Sequence, residues 1–166
     1  TMAEQKSSGT HAQQGKQLLS RVKQLRSWVL SDPSKAPELA DTLNGLTEHR
    51  LLGHGYTEAF AEAQEAFAAA YRLAPAPGTI GPLTRTGDVV RQVRAMAHLA
   101  IIQVAAGQPE AGRQTALAAL ALRTELGRPD LDEALPAASA VWLLTAIARG
   151  AAASGDLAEA NAYADA

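Results

Sequence analysis

The side chains most able to do chemistry in this chain are its four histidines, His11, His49, His54 and His98. His49 and His54 lie five residues apart on either side of Gly53, so they cannot share one face of a helix. No carboxylate stands at metal-ligand spacing from them, and no His-Glu-x-x-His motif occurs. Cysteine is absent, and no serine belongs to a Ser-His-Asp pattern. The sequence therefore predicts no metal site, no catalytic residues and no enzyme.

Two other patterns have simple structural explanations. The stretch GHGYTEA, residues 53–59, begins like a phosphate-binding loop but precedes no strand–helix unit, so we expect no nucleotide or other cofactor. Glu58, Glu62 and Glu65 follow at spacings of four and three residues along a predicted helix. This row could hold a cation, but a solvated acidic helix face is the simpler interpretation.

The composition favours an all-α domain. Hydrophobic residues make up 47% of the 166 residues but aromatic residues only 4%, so alanine and leucine carry the apolar content. Alanine favours helix, and no sustained alternating run of Val, Ile and Thr predicts a strand. The length suits one domain with a real core.

The charge distribution excludes some classes of partner. The first 35 residues hold six basic and two acidic residues, a net of +4, which leaves −6 for the rest of a chain with net charge −2. This density is too low for nucleic-acid binding. No apolar run is long enough for a membrane span, and no signal peptide opens the chain. We expect a soluble cytoplasmic protein with no nucleic-acid or membrane partner.

Hydrophobic periodicity and Pro/Gly breaks divide the chain into about seven helices. Residues 1–12 are polar and aperiodic, and we expect this tail to be disordered. The segments that we predict to be helical are 13–31, 37–52, 56–73, 88–106, 109–126, 136–154 and a last helix from about 156. Pro- and Gly-rich residues 74–87 form a long loop that we expect to be mobile or functional, and residues 127–135 form another connection.

The short turns between these helices repeat one phrase. Residues 55–59, 107–112 and 155–160 each join two amphipathic helices through a few residues, which makes the two helices antiparallel. Small residues follow every turn at four-residue spacing, and apolar pairs recur in each preceding helix. The small residues are Ala59, Ala63 and Ala66, then Gly112, Ala116 and Ala119, then Ala160 and Ala164; the pairs are Leu43 and Leu46, Met96 and Leu99, and Leu144 and Ile147.

From about residue 38 onward this pattern resembles the tetratricopeptide repeat (TPR) family. The resemblance implies a TPR-like α-solenoid of stacked antiparallel helical hairpins at about 37–73, 88–126 and 136–166, with an extra N-terminal helix at 13–31. Tyr56 matches the family's aromatic position, but Pro109 replaces it in the second copy. Matching positions recur after 53 and 48 residues instead of about 34. An ordinary helical bundle is the alternative, and we expect the last hairpin to be truncated.

In such a stack the first helix of each hairpin lines a concave groove. The resemblance therefore implies eight groove residues, which are Asn44, Glu48, Arg94, His98, Ile101, Trp142, Thr145 and Arg149. Asn44 could clamp a peptide backbone, the two arginines could bind a carboxylate, and Trp142 could be an anchor. The alternatives are a core role for Trp142 and a merely solubilising role for the arginines. The family's lysine and asparagine clamp is not matched.

These features predict a non-catalytic protein–protein interaction module that binds a peptide or partner helix in the groove. The alternative is a regulatory or sensor domain of a larger protein that binds a small ligand or signal peptide. An enzyme would need Glu48, His98 and Arg149 to converge in a deep pocket. We also expect a homo-oligomer, formed through an exposed apolar face of the C-terminal hairpin (Val141, Leu144 and Ala148) or through the N-terminal helix.

Overall fold

The computed structural model describes residues 2–53, 55–71, 86–125 and 137–164. Over these residues the chain is all-helical and contains no strand, which confirms the all-α prediction. Seven α-helices and one 3-10 turn, Pro33–Lys35, follow in order. The helices are α1 (Met2–Ser31), α2 (Ala36–Leu52), α3 (Tyr56–Tyr71), α4 (Thr86–Ala105), α5 (Pro109–Glu125), α6 (Ala137–Ala153) and α7 (Leu157–Ala164).

The helix boundaries differ from the prediction mainly at the N-terminus. The ends of α2 to α6 and the start of α7 lie within two residues of the predicted positions. Helix α1, however, begins at Met2 and runs through the segment for which we predicted disorder. Within it the ring of His11 stacks on His49 of α2, with ring centroids 3.7 Å apart. The polar sequence carried no sign of this tertiary contact. Residues 86–87, predicted as the end of the loop at 74–87, belong to α4. Residues 74–85 and the predicted connection at 127–135 lie outside the described residues.

Two of the interhelical turns use the same backbone conformation. Gly107 and Gly155 have φ angles of 79° and 81°, a left-handed conformation that favours glycine. In each turn the amide of the next residue donates to a carbonyl five residues back, Gln108 to Gln103 and Asp156 to Ala151, both at 2.9 Å. The glycine therefore closes the preceding helix and reverses the chain within three or four residues.

The helices pack in chain order, with two additional contacts that link alternate helices. Each helix packs on the next one along the chain, from α1 on α2 to α6 on α7. In addition, α2 packs on α4, and α4 packs on α6. One apolar cluster contains side chains of all four helices from α1 through α4, which are Val22, Leu25, Leu39, Leu43, Leu46, Ala66 and Ala95. A second cluster contains side chains of α4, α5 and α6 and includes Val93, Ala97, Ala116, Leu143 and Ile147.

Small residues let the helices approach closely. A Cβ atom added to Gly112 would lie 2.6 Å from the carbonyl oxygen of Ala100, and one added to Gly150 would lie 2.6 Å from that of Pro109. Seven of the eight predicted small positions are buried, and Ala164 is the exposed one. The backbone of α5 thus lies close to the backbones of α4 and α6, with little between them.

Candidate interaction groove

Side chains from α2, α4 and α6 form a continuous series of contacts. Glu48 of α2 contacts two residues of α4: Arg94 Nη2 donates to Glu48 Oε1 at 2.7 Å, and His98 Nε2 lies 3.2 Å from the same oxygen. Trp142 of α6 meets the His98 ring edge-on, with ring centroids 5.2 Å apart. Because the three helices are the first helices of the three predicted hairpins, these contacts link each predicted hairpin to the next.

Burial sets the protonation states in this cluster. Burial lowers the pKa of His98 below its ordinary value, by more than its contact with Glu48 raises it. Burial also opposes ionisation of Glu48, but hydrogen bonds from His98 and Arg94 and the charge of Arg94 outweigh it, so the pKa of Glu48 lies below its ordinary value. At neutral pH the cluster therefore contains an ionised Glu48 and a neutral His98 that donates through Nε2.

The cluster has a closed side and an open side. The His98 side chain is 0% exposed, and its Nδ1 atom is buried without a hydrogen-bond partner. The side chains of Glu48 and Arg94 remain 24% and 18% exposed, and Trp142 is half-buried. His98 thus positions Glu48 and Trp142 from beneath, while these two and Arg94 reach the surface.

Asn44 lies in the interior. Its side chain is fully buried, and its amide nitrogen donates to the main-chain carbonyl of Arg91 at 3.2 Å. The other side-chain atom, Oδ1, is buried without a hydrogen-bond partner. Asn44 thus holds the backbone of α4 against α2. Its predicted role was to clamp the backbone of a bound peptide.

The remaining predicted groove residues differ in exposure. Ile101 and Thr145 are half-buried, and Ile101 packs against an apolar cluster around Leu51 and Ile102. Arg149 is exposed, and no ion pair or hydrogen bond of its side chain occurs within the described parts of the chain. It therefore takes no part in the Glu48–His98 contact. An enzyme would have needed Arg149 to converge with Glu48 and His98, but the arginine that contacts Glu48 is Arg94.

The histidine and carboxylate side chains of the described ranges do not form a metal centre. No three potential ligands among His, Asp and Glu side chains there come together in a way that could hold a metal ion. His54 lies outside those ranges. His11 and His49 stack on each other at the α1–α2 interface, and His98 is enclosed, so its imidazole cannot contact a substrate in this conformation.

The acidic row on α3 takes part in interhelical ion pairs. Glu62 is buried, and the Nε atom of Arg50 in α2 lies 2.6 Å from Glu62 Oε2. Glu65 accepts from Arg26 Nε of α1 at 2.7 Å. Glu58 remains exposed. Two of the three carboxylates thus link α3 to its neighbours, an arrangement that helical spacing alone does not predict.

One further ion pair, between Asp41 and Arg91, also joins α2 to α4. Arg91 Nε donates to Asp41 Oδ1 at 2.8 Å across a separation of 50 residues. The Arg94–Glu48 and His98–Glu48 contacts span 46 and 50 residues. These separations are three to seven residues shorter than the 53-residue spacing between the first two copies, so exact pairing one repeat apart would not have identified the three contacts.

Comparison of the chain with protein-family models, with curated proteins and with solved structures gives no match in any of the three. Among the helices that the structure describes, none combines the length and the apolar character that crossing a membrane requires.

Proposed function

We propose that this chain is a TPR-like repeat module that binds an extended peptide or a partner helix along the surface of α2, α4 and α6. The helix packing supports this proposal, because α2 lies on α4 and α4 on α6 in addition to the contacts within hairpins. A stack of hairpins produces this order of contacts. The separations of 46 to 50 residues between paired side chains of α2 and α4 agree with it.

The observation that carries the proposal is the contact series from Glu48 to Trp142 across three helices. It links partly exposed polar and aromatic side chains that are far apart in the chain. Because these side chains are already held together before a partner binds, they lose little further conformational entropy on binding. A surface of this kind is preorganised for a ligand that lies across several helices.

The exposed side chains indicate how a peptide would bind. Trp142 offers a ring that already packs on the His98 ring in an edge-to-face arrangement, so its orientation is set. Arg149 lies seven residues further along α6, two helical turns away on the same face, and has no ion pair in the described structure. An apolar side chain on Trp142 and a carboxylate on Arg149 are the contacts that we expect.

Enclosure of His98 supports a non-catalytic role. A general acid or base must come within hydrogen-bond distance of the proton that it transfers. The His98 side chain has no exposed surface, and its Nε2 atom is already engaged with Glu48. In this cluster the imidazole serves to support the surface.

Peptides selected from a random display library on the wild-type domain test this proposal. We expect the selected peptides to bind Arg149→Glu about ten- to a hundredfold more weakly, because a charge-assisted contact is lost and a repulsive one appears. Lys23→Glu is the matched control, since Lys23 is exposed on α1 and the charge change is the same. It should bind with wild-type affinity.

Chemical-shift mapping of a selected peptide on the labelled domain provides the second readout. The largest changes should fall on α4 and α6, near Arg94, Trp142 and Thr145. Equal loss of affinity in both charge variants, or shift changes confined to α1, α3 and α5, would place the binding surface elsewhere and refute the groove.

A further inference from the structure

A cavity of about 450 Å³ lies where the start of α3 meets the end of α4, beside the turn into α5. It is separate from the groove, because none of the eight predicted groove residues lines it. The lining residues are Thr57, Phe60, Ile102, Gln103, Ala105, Ala106 and Gln108. Its volume is in the range of pockets that hold small molecules.

The described residues in the wall of this cavity are largely apolar, and none of their seven side chains is ionisable. Ile102 is buried, whereas Phe60 remains 38% exposed. A charged ligand would lose its hydration here without gaining a partner, so the cavity selects against charge.

The polar groups of the cavity are side-chain amides and one hydroxyl. Thr115 Oγ1 of α5 lies 2.7 Å from Gln103 Oε1 and 3.0 Å from the carbonyl oxygen of Ala111, so its one hydroxyl proton is shared between these two acceptors. The contact holds the Gln103 side chain in place and leaves its amide nitrogen to donate. Gln108 and Thr57 are exposed beside it. A molecule seated on Phe60 and Ile102 would therefore find a hydrogen-bond donor, held in place from α5, at the side of the cavity.

We propose that this cavity is a second binding site, for a small uncharged molecule with an apolar ring or branched body and one hydrogen-bond acceptor. The acceptor receives the Gln103 amide, and the body covers Phe60 and Ile102. This assignment is independent of the groove, because no groove residue lines the cavity.

An environment-sensitive probe of that chemistry tests the site. The probe is 6-propionyl-2-dimethylaminonaphthalene, which is uncharged and has a ketone acceptor on a naphthalene body. Its emission should shift and saturate at one site per chain. The anionic dye 1-anilinonaphthalene-8-sulfonate is the comparison, and it should bind at least about tenfold more weakly, because the cavity contains no cation to replace the solvation of its sulfonate.

A matched pair of variants locates the probe. Ala105 and Ala153 are the last residues of α4 and α6; both are exposed, and both precede a glycine turn, but only Ala105 lines the cavity. Ala105→Phe should fill the cavity and abolish probe binding, whereas Ala153→Phe should bind as the wild type does. Gln103→Met should weaken binding about three- to tenfold through loss of one hydrogen bond.

Circular dichroism of each variant confirms that it remains folded before binding is measured. The proposal is supported if the probe binds the wild type and shifts the amide signals of Phe60 and Gln108. It also requires that Ala105→Phe abolishes probe binding and that Ala153→Phe does not. Equal binding by both phenylalanine variants, equal affinity for the anionic dye, or no saturable binding would overturn it. None of these results depends on whether a peptide binds the groove.

Discussion

Gly150 provides the most direct test of how α6 packs on α5. A Cβ atom at this position would lie 2.3 Å from Arg113 Cβ and 2.6 Å from the carbonyl oxygen of Pro109. Both are far inside van der Waals contact, and neither atom is the free end of a flexible side chain. Gly150→Ala can therefore be accommodated only if the two helices move apart.

The size of the effect follows from two opposing contributions. Replacing glycine by alanine within a helix stabilises it by about 0.5–1 kcal/mol. Forcing an extra methyl group into a packed interface costs about 1–3 kcal/mol. We expect Gly150→Ala to lower the free energy of unfolding by about 1–2 kcal/mol. Gly45→Ala should raise it by about 0.5–1 kcal/mol, because the nearest atom to its Cβ, Leu18 Cδ2, is 3.8 Å away.

Urea unfolding followed by circular dichroism measures both variants on the same scale. The transition midpoint should move down for Gly150→Ala and up for Gly45→Ala, at unchanged slope. Tryptophan fluorescence is a second probe, because Trp142 lies on the same helix as Gly150. A midpoint for Gly150→Ala at or above that of the wild type would mean that α5 and α6 are not in this contact.

Three further predictions test other parts of the structure. Burial is the main reason why the pKa values of His98 and His49 both lie below their ordinary value of 6.5, so the unfolded state binds more protons than the folded state. The free energy of unfolding, measured with urea, should therefore fall as the pH drops through 6.5, by at most about 1.4 kcal/mol per pH unit for each histidine. The fall should be less steep in His49→Gln. Glu62→Gln should cost about 1–2 kcal/mol in the same assay, because the buried partner of Arg50 loses its charge. Val141 is 59% exposed on α6, and Val141→Lys should weaken any self-association seen by sedimentation velocity.

Each of these predictions has an outcome that would contradict it. A stability that is unchanged between pH 7.5 and 5.5 would show that neither histidine is buried as described. For Glu62, the control is Glu58→Gln at an exposed position on the same helix, which should change stability by less than about 0.5 kcal/mol; equal effects would argue against the ion pair. A strict monomer at high concentration would refute self-association of the wild type.

Local sequence signals were sufficient to predict most of the helices. Proline and glycine stand at their ends, apolar residues recur with helical spacing, and these are properties of neighbouring residues in the chain. The small residues after each turn predicted which face of each second helix would be buried. The N-terminal part of α1 could not be predicted in this way, because its residues are polar and its observed contact, His11 on His49, is with a different helix.

The contacts between side chains of the candidate groove were predicted in part. Glu48, Arg94, His98 and Trp142 were identified from their positions on the first helices, and the structure brings these four together. Their burial was not predictable from spacing. A helix face has a range of depths, and only the neighbouring helices decide whether a side chain on it is covered, as His98 is, or open, as Arg149 is.

The sequence by itself determined the helices, their short antiparallel turns and the small-residue stripes along which they pack, because each of these depends on residues close together in the chain. Only the tertiary structure decided that Asn44 binds the backbone of α4, that Glu62 pairs with Arg50 and that an uncharged cavity opens beside Phe60. Those features depend on the distance and rotation between helices. Close packing sets these two quantities. A single added Cβ atom at Gly112 or Gly150 would lie 2.6 Å from a backbone carbonyl oxygen, which is enough to change them.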